Sequence, residues 1–238
     1  MSASENIQFT VSGNTATIRL CAPDRSNAFT TLMMRELAEA ITAANQAGAA
    51  LIVLEGQGSD FSTGRVQGEQ GVSLRESLEQ AIAVNHAWRT AEAVTLTVVE
   101  GAALGFAFGL VAQSDLAIAS ADARFAFDEM AHGFVPKIVL SYLPERLPRS
   151  LALDLVLSAR SITGEQALSL GLVTRTAPPG ELRGAALDYA RTLVDDGRAA
   201  LLRDAKAYAE RVMAEPPAAR PSVALEESLR SMAPSGTT

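Results

Sequence analysis

The chain has 238 residues, 48% of them hydrophobic, with a net charge of −7 at pH 7, two histidines and one cysteine. That length suits one domain, or one domain with a helical appendage, and an acidic balance without a basic run argues against nucleic acid as a partner. The lone Cys21 excludes a disulfide within the chain and fits a reducing compartment, the His and Cys count argues against a His/Cys metal site, and no apolar stretch reaches the ~20 residues of a membrane span.

Residues 7–11 and 15–20 are short strand-like runs around Ser12-Gly13-Asn14, a spacing that predicts a hairpin. A loop over 23–27 leads to a helix over 32–47, where Met33, Leu37, Ile41 and Ala44 form an apolar stripe. A buried strand over 50–54 ends at Glu55-Gly56, and a glycine-rich loop over 57–71 precedes an amphipathic helix over 74–90. A strand over 94–99, a helix over 104–113 and strands over 116–119 and 124–127 come next, followed by a loop over 128–136. The last third reads as mostly helical, with helices over 151–158, 182–195, 199–214 and 223–232, a strand over 172–175, and a disordered tail over 233–238. Thr163 and Gln166 have the spacing of a capping box, with Gly171 ending the helix that they open. The polar, acidic N-terminus does not resemble a signal peptide, so a cytoplasmic setting is expected.

The most informative stretch is 98–109, Val-Val-Glu-Gly-Ala-Ala-Leu-Gly-Phe-Ala-Phe-Gly. It reads as strand, tight turn and buried helix start. Such a start presents unpaired backbone N–H groups and the positive end of the helix dipole, which stabilise an oxygen that gains charge during a reaction. The small residues let a substrate reach the backbone. Strand, Glu-Gly, small loop and helix recur at 51–56 and 96–101, which points to stacked β/α units and an α/β class.

Several segments together resemble the crotonase (enoyl-CoA hydratase/isomerase) superfamily. Pro23, Asn27 and Ala28 match its Pro-x-x-x-Asn-Ala segment, and residues 56–64 its Gly-x-Gly-x-x-Phe-x-x-Gly loop. Residues 98–109 match its second oxyanion segment. Phe125, Glu129, Gly133 and Pro136 are similar to Phe-x-x-Pro-Glu-x-x-x-Gly-x-x-Pro, with Asp128 in place of the first proline. The likeness runs in order over about residues 7–213. It implies a spiral of ββα units over 1–178 with a C-terminal helical region over 179–238, assembled as a homotrimer or hexamer. It also implies an acyl-CoA or acyl-carrier thioester substrate, with coenzyme A part of the substrate and no separate cofactor. Two backbone N–H groups, of Arg65 after Gly64 and of Phe106 after Gly105, would stabilise a thioester enolate.

The resemblance also frames the carboxylates. Hydratases of the family place two glutamates around the substrate. Glu129 keeps the second position, and Gly109 stands at the first. One carboxylate suffices to move a proton between C2 and C4, the isomerase pattern, and burial beside an acyl pocket would raise its pKa. Glu129 is preferred over Asp128 for that role. Phe106 and Ala107 replace glycines of a triple-glycine run. The rings of Phe106 and Phe108, and the side chain of Val66, either shape the pocket or pack in the interior. His132 is a candidate site residue, with a locally bonded loop histidine the preferred reading. Lys137 either reaches the site or is a surface lysine. By the resemblance, Arg25 and Lys206, the latter in contact with a neighbouring subunit's substrate, are candidates for the CoA phosphates, with ordinary solvated cations as the alternative. Asn27, Gly64 and Gly105 complete the expected substrate contacts. His86 and Trp88 are expected to pack, and Cys21 to be a buried small residue. Decarboxylation, hydrolysis or hydration of another acyl thioester, and a non-catalytic acyl-CoA-binding role, are the competing readings.

Overall fold

The computed structural model of the chain describes residues 5–195 and 197–232. β1 (Ile7–Ser12) and β2 (Thr15–Leu20) form the expected antiparallel hairpin, with Ser12 opposite Thr15. The Thr30 side chain caps α1 (Thr31–Gln46) by accepting from the Met33 N–H, and the stripe Met33, Leu37, Ile41 and Ala44 is buried. β3 (Leu51–Gly56), α2 (Leu74–Arg89) and β4 (Val94–Val99) follow as the pattern predicts.

The next segment departs from expectation. Residues 102–104, read as turn and helix start, form a strand, β5 (Ala102–Leu104), so α3 (Phe106–Gln113) begins two residues late. The cause is tertiary. β6 (Leu116–Ser120) leads to β7 (Arg124–Ala126), and β7 pairs in parallel with β5, Ala103 opposite Phe125. Three small or apolar residues carry no strand period of their own, so only the partner reveals them.

Residues 128–136, read as loop, hold a 3-10 turn over Asp128–His132. Two short helices absent from the sequence reading follow, α4 (Lys137–Leu140) and α5 (Leu143–Arg146). α6 (Arg149–Ser158), β8 (Ile162–Thr163) and α7 (Gly164–Ser169) come next. The capping box is present: the Thr163 hydroxyl accepts from the Gln166 N–H, and Gln166 accepts from the Thr163 N–H. The strand expected over 172–175 is shifted to β9 (Arg175–Ala177). Leu172 is spent on closing α7, its N–H donating to Ala167 O at 2.9 Å, and pairing with β6 starts at Arg175 opposite Ile118. Helices α8 (Leu182–Val194), α9 (Ala199–Ala214) and α10 (Arg220–Met232) complete the described chain, and the expected disordered tail lies outside it.

The main sheet has the order β1-β2-β3-β4-β6-β9, parallel beyond the hairpin, and a smaller sheet has the order β5-β7-β8. An isolated bridge between Ser62 and Ala103 joins the loop after β3 to the smaller sheet. The chain thus winds as repeated ββα turns, the α/β architecture expected. One face of the main sheet buries Ile52 and Leu54 under α1, α2 and α3; Leu51, Val53, Val94, Leu96 and Val98 face α8 on the other. Burial on both faces explains why β3 and β4 read as continuous apolar runs. Among the described residues no helix is long and apolar enough to cross a membrane.

Candidate active site

Two backbone N–H groups converge at the start of α3. The loop after β3 is clipped to β5 on both sides of Ser62, whose N–H donates to Ala102 O at 2.9 Å and whose carbonyl accepts from the Leu104 N–H at 3.0 Å. Phe29 then bonds the residues on either side of Arg65, donating to Gly64 O at 2.8 Å and accepting from the Val66 N–H at 2.9 Å. In a parallel bridge of this kind the intervening N–H, that of Arg65, points away from the partner strand. Phe106 is the first residue of α3, where no intrahelical acceptor exists for its N–H. The two loops touch: a methyl group on Gly64, at φ 92°, would lie 2.8 Å from Leu104 O and 3.7 Å from Phe106 N. Glycine is required there, because any side chain would push the donor loops apart.

The same bonding delivers the carboxylate. The Gly105 N–H donates to Ala126 O at 2.8 Å, tying the start of α3 to the end of β7, and the 3-10 turn that follows carries Glu129. Phe134 N–H closes this turn onto Glu129 O at 2.9 Å. A methyl group on Gly105, at φ 50°, would lie 3.0 Å from Glu129 Oε1 and 3.4 Å from Asp128 Oδ1. Glu129 Oε2 is buried without a hydrogen-bond partner. Burial is the main cause that raises the Glu129 pKa above the ordinary carboxylate value; its own backbone N–H, Arg65 and His132 pull it down, and Asp128 pushes it further up. The Arg65 guanidinium is held by Ser77 Oγ on α2 at 2.9 Å; burial lowers its pKa, and the charge of Glu129 opposes that shift.

One further residue reaches this face of α3, and the sequence offered no sign of it. A side chain on Gly109 would overlap the hydroxyl oxygen of Tyr142, which enters from the start of α5. Tyr142 is 3% exposed and its hydroxyl has no hydrogen-bond partner. Burial raises its pKa first and the charge of Glu129 second, so the phenol is neutral throughout the physiological range.

With this geometry in hand, the comparisons with known proteins are decisive. The model of the enoyl-CoA hydratase/isomerase family matches residues 10–228. The chain belongs to the enoyl-CoA hydratase/isomerase family. A Thermus thermophilus protein assigned as an enoyl-CoA hydratase is 29% identical over 192 residues, covering 77% of this chain and 74% of its own. The crystal structure of an enoyl-CoA hydratase/isomerase from Marinobacter aquaeolei matches with a TM-score of 0.82 at 26% identity, over 96% of this chain and 92% of that one. A Thermobifida fusca protein assigned as an enoyl-CoA hydratase, solved with acetoacetyl-CoA, matches with a TM-score of 0.84 at 26% identity, over 96% and 95% of the two chains. The crotonase-fold expectation therefore holds.

The structure sorts the other residues singled out in this family member. Asn27 is fully buried, accepting from the Ala22 N–H at 2.9 Å and donating to Gln57 O at 2.9 Å and Asp60 O at 2.8 Å; it holds the first donor loop in place. Phe108 packs inside, stacked on Phe127 at 4.3 Å, and the Phe106 ring stands edge-on to Phe29 at 5.3 Å. His132 is exposed, with Nε2 3.3 Å from Asp128 Oδ2, the local contact preferred from sequence. Lys137 is exposed at the start of α4. Arg25 is half-buried, donating to Asn6 Oδ1 at 2.7 Å and Ala28 O at 3.1 Å. Lys206 lies away from this cluster, donating to Asp115 Oδ2 at 2.8 Å and Ala93 O at 3.0 Å. Trp88 packs as expected, its indole N–H donating to Ser114 Oγ at 3.1 Å; His86, expected to pack, is instead exposed on the outer face of α2. Cys21 is half-buried rather than buried, and Val66 is half-buried in the first donor loop.

Proposed function

We propose that this family member processes acyl-CoA thioesters through an enolate, and that its reaction is double-bond isomerisation. The thioester carbonyl lies against the N–H groups of Arg65 and Phe106. Glu129 takes a proton from C2 as charge moves onto the thioester oxygen, and returns it at C4. Each backbone donor to the developing oxyanion is worth about 2.7–4 kcal/mol. A raised pKa suits a group that acts first as base and then as acid.

The observation that carries this reading is that Glu129 is the buried carboxylate with an unpaired oxygen beside the donor pair, while the neighbouring Asp128 is partly exposed and faces His132, and Gly109 is bare with its side-chain space taken by Tyr142. Hydration needs one group to activate water and another to protonate C2; a shuttle between C2 and C4 needs one. The structural relatives solved with CoA and with acetoacetyl-CoA support a CoA thioester as substrate. The half-buried Arg25 stays a candidate phosphate contact. Lys206, committed to Asp115, does not enter the proposed site. The chemistry uses no cofactor beyond the CoA of the substrate. Assembly into a homotrimer or hexamer is part of the proposal, supported by exposed Leu187, Leu201, Met213, Leu225 and Leu229 on the last three helices.

A second reading, decarboxylation, is favoured by one observation: the half-buried Arg65 guanidinium interacts with Glu129 and would hold an acyl carboxylate there. The deciding assay measures 3-enoyl-CoA isomerisation, crotonyl-CoA hydration and carbon dioxide release from malonyl-CoA, with wild type and Glu129→Gln. Isomerisation that dominates in wild type and drops by about 10²–10⁴ in the variant is expected. No isomerisation by wild type, or equal rates in both, overturns the reading. Carbon dioxide release favours the second.

A further inference from the structure

We propose that Tyr142 is a substrate-contacting residue of the acyl site, a neutral hydroxyl that hydrogen-bonds an oxygen on C3 where the acyl group carries one. This rests on the acyl-CoA part of the reading above and not on isomerisation, whose enoyl thioesters carry no oxygen on C3.

The argument begins with α3. Gly105 caps α3 with a non-helical backbone, φ 50° and ψ −119°, and Gly109 follows one turn on, its N–H donating to Gly105 O at 3.0 Å. Glu129 Oε1 faces Gly105 and the Tyr142 hydroxyl faces Gly109. The carboxylate and the phenol therefore approach successive positions at the start of α3, close enough for the charge of Glu129 to act on the Tyr142 hydroxyl. The donor pair lies at the N-terminal end of the helix. A thioester whose oxygen rests on the Phe106 N–H and whose C2 faces Glu129 has its C3 substituent directed toward Tyr142.

Burial gives the second reason. A buried polar atom normally has a partner, and leaving one unpaired costs about 1–3 kcal/mol. Tyr142 Oη and Glu129 Oε2 are both buried and unpaired. Tyr142 does reach a basic side chain, Arg89, whose guanidinium carbon is 6.0 Å from its ring centroid, but that contact is with the ring and leaves the hydroxyl free. The phenol is a weak acid in this setting and keeps its proton, because burial and the nearby carboxylate both oppose its ionisation. Its available chemistry is donation to an acceptor. A hydroxyl or carbonyl oxygen on C3 supplies one; a plain alkyl chain does not. No proton transfer is assigned to Tyr142, which stays neutral while Glu129 handles the proton.

The test compares Kd values for 3-hydroxybutyryl-CoA and butyryl-CoA by calorimetry, in wild type and in Tyr142→Phe. Wild type is expected to prefer the hydroxylated ligand about fivefold to tenfold, the worth of one neutral hydrogen bond, and Tyr142→Phe to abolish the preference without weakening butyryl-CoA. A purely structural tyrosine would affect both ligands equally. Equal affinities in wild type, or a preference that survives the substitution, overturn the proposal. The wild-type comparison stands even if the variant fails to fold. If wild type binds neither ligand, the acyl-CoA reading falls and this proposal with it; binding without preference removes this proposal alone.

Discussion

The two ends of α3 are built on opposite terms. At its C-terminal end the charged groups are all paired. Arg146 donates to Ala112 O at 3.0 Å and to Ser114 O, Asp115 accepts from the Thr95 N–H at 2.8 Å and from Lys206 at 2.8 Å, and Trp88 bonds Ser114. Two uncharged amide atoms there, Gln113 Oε1 and its neighbour Asn85 Nδ2, are unpaired. Toward the N-terminal end, the backbone N–H groups of Arg65 and Phe106 lie near a carboxylate oxygen and, beside Gly109, a phenol, both buried without partners, and the carboxylate pKa is raised. The contrast separates holding from acting: polar groups that pair with one another stabilise the fold, and polar groups left unpaired in a rigid frame wait for a substrate.

Substitutions at the two ends should therefore differ in kind. The largest effect is expected from Glu129→Gln, which removes the only proposed proton carrier and lowers turnover by about 10²–10⁴. Its stability should move the other way. The folded chain holds the Glu129 proton more tightly than the unfolded chain does, so stability falls as pH rises from the ordinary carboxylate value through the raised one. Thermal melts of Glu129→Gln against wild type should show a gain at pH 8 and none at pH 4. The wild-type rate should fall on the acid side at a pH above that of an ordinary glutamate, about 4.3. Gly105→Ala comes next. Its methyl would crowd Glu129 Oε1 and occupy a backbone conformation with φ 50°, and turnover should fall by about tenfold to a hundredfold, as for a catalytic group misplaced by ~1 Å.

At the other end, Lys206→Met should cost about 1–3 kcal/mol of stability by stranding Asp115, less than a fully buried pair because the Asp115 side chain is 30% exposed. CoA affinity, read by calorimetry, should be unchanged; a tenfold weakening would assign Lys206 to the ligand after all. The smallest effect belongs to His132→Ala, whose side chain is 67% exposed, with a rate at pH 8 within about twofold of wild type.

Much of the acting end was legible in the sequence. Gly64, Gly105 and Glu129 sit in segments that the family resemblance singles out, and the fold brings them together because a donor loop, a helix start and a turn are local structures. Tyr142 was not legible. It lies 13 residues beyond Glu129, in a stretch where two short helices went unseen, and it reaches Gly109 only through packing of α5 on α3. β5 and β9 failed for a related reason: a three-residue strand is defined by its partner, and Ala102–Leu104 became one through β7. Lys206 shows what pattern alone leaves out. A lysine in a late helix fits a phosphate contact by pattern, and only the fold reveals Asp115 beside it.

The central claim is that the N-terminal end of α3 generates a thioester enolate whose proton passes through Glu129. Hydrogen–deuterium exchange at C2 of butyryl-CoA in D2O, followed by NMR, reads that step without requiring the full reaction. Exchange catalysed by wild type and lost in Glu129→Gln is the result expected; no exchange in wild type, or exchange undiminished in the variant, would contradict it.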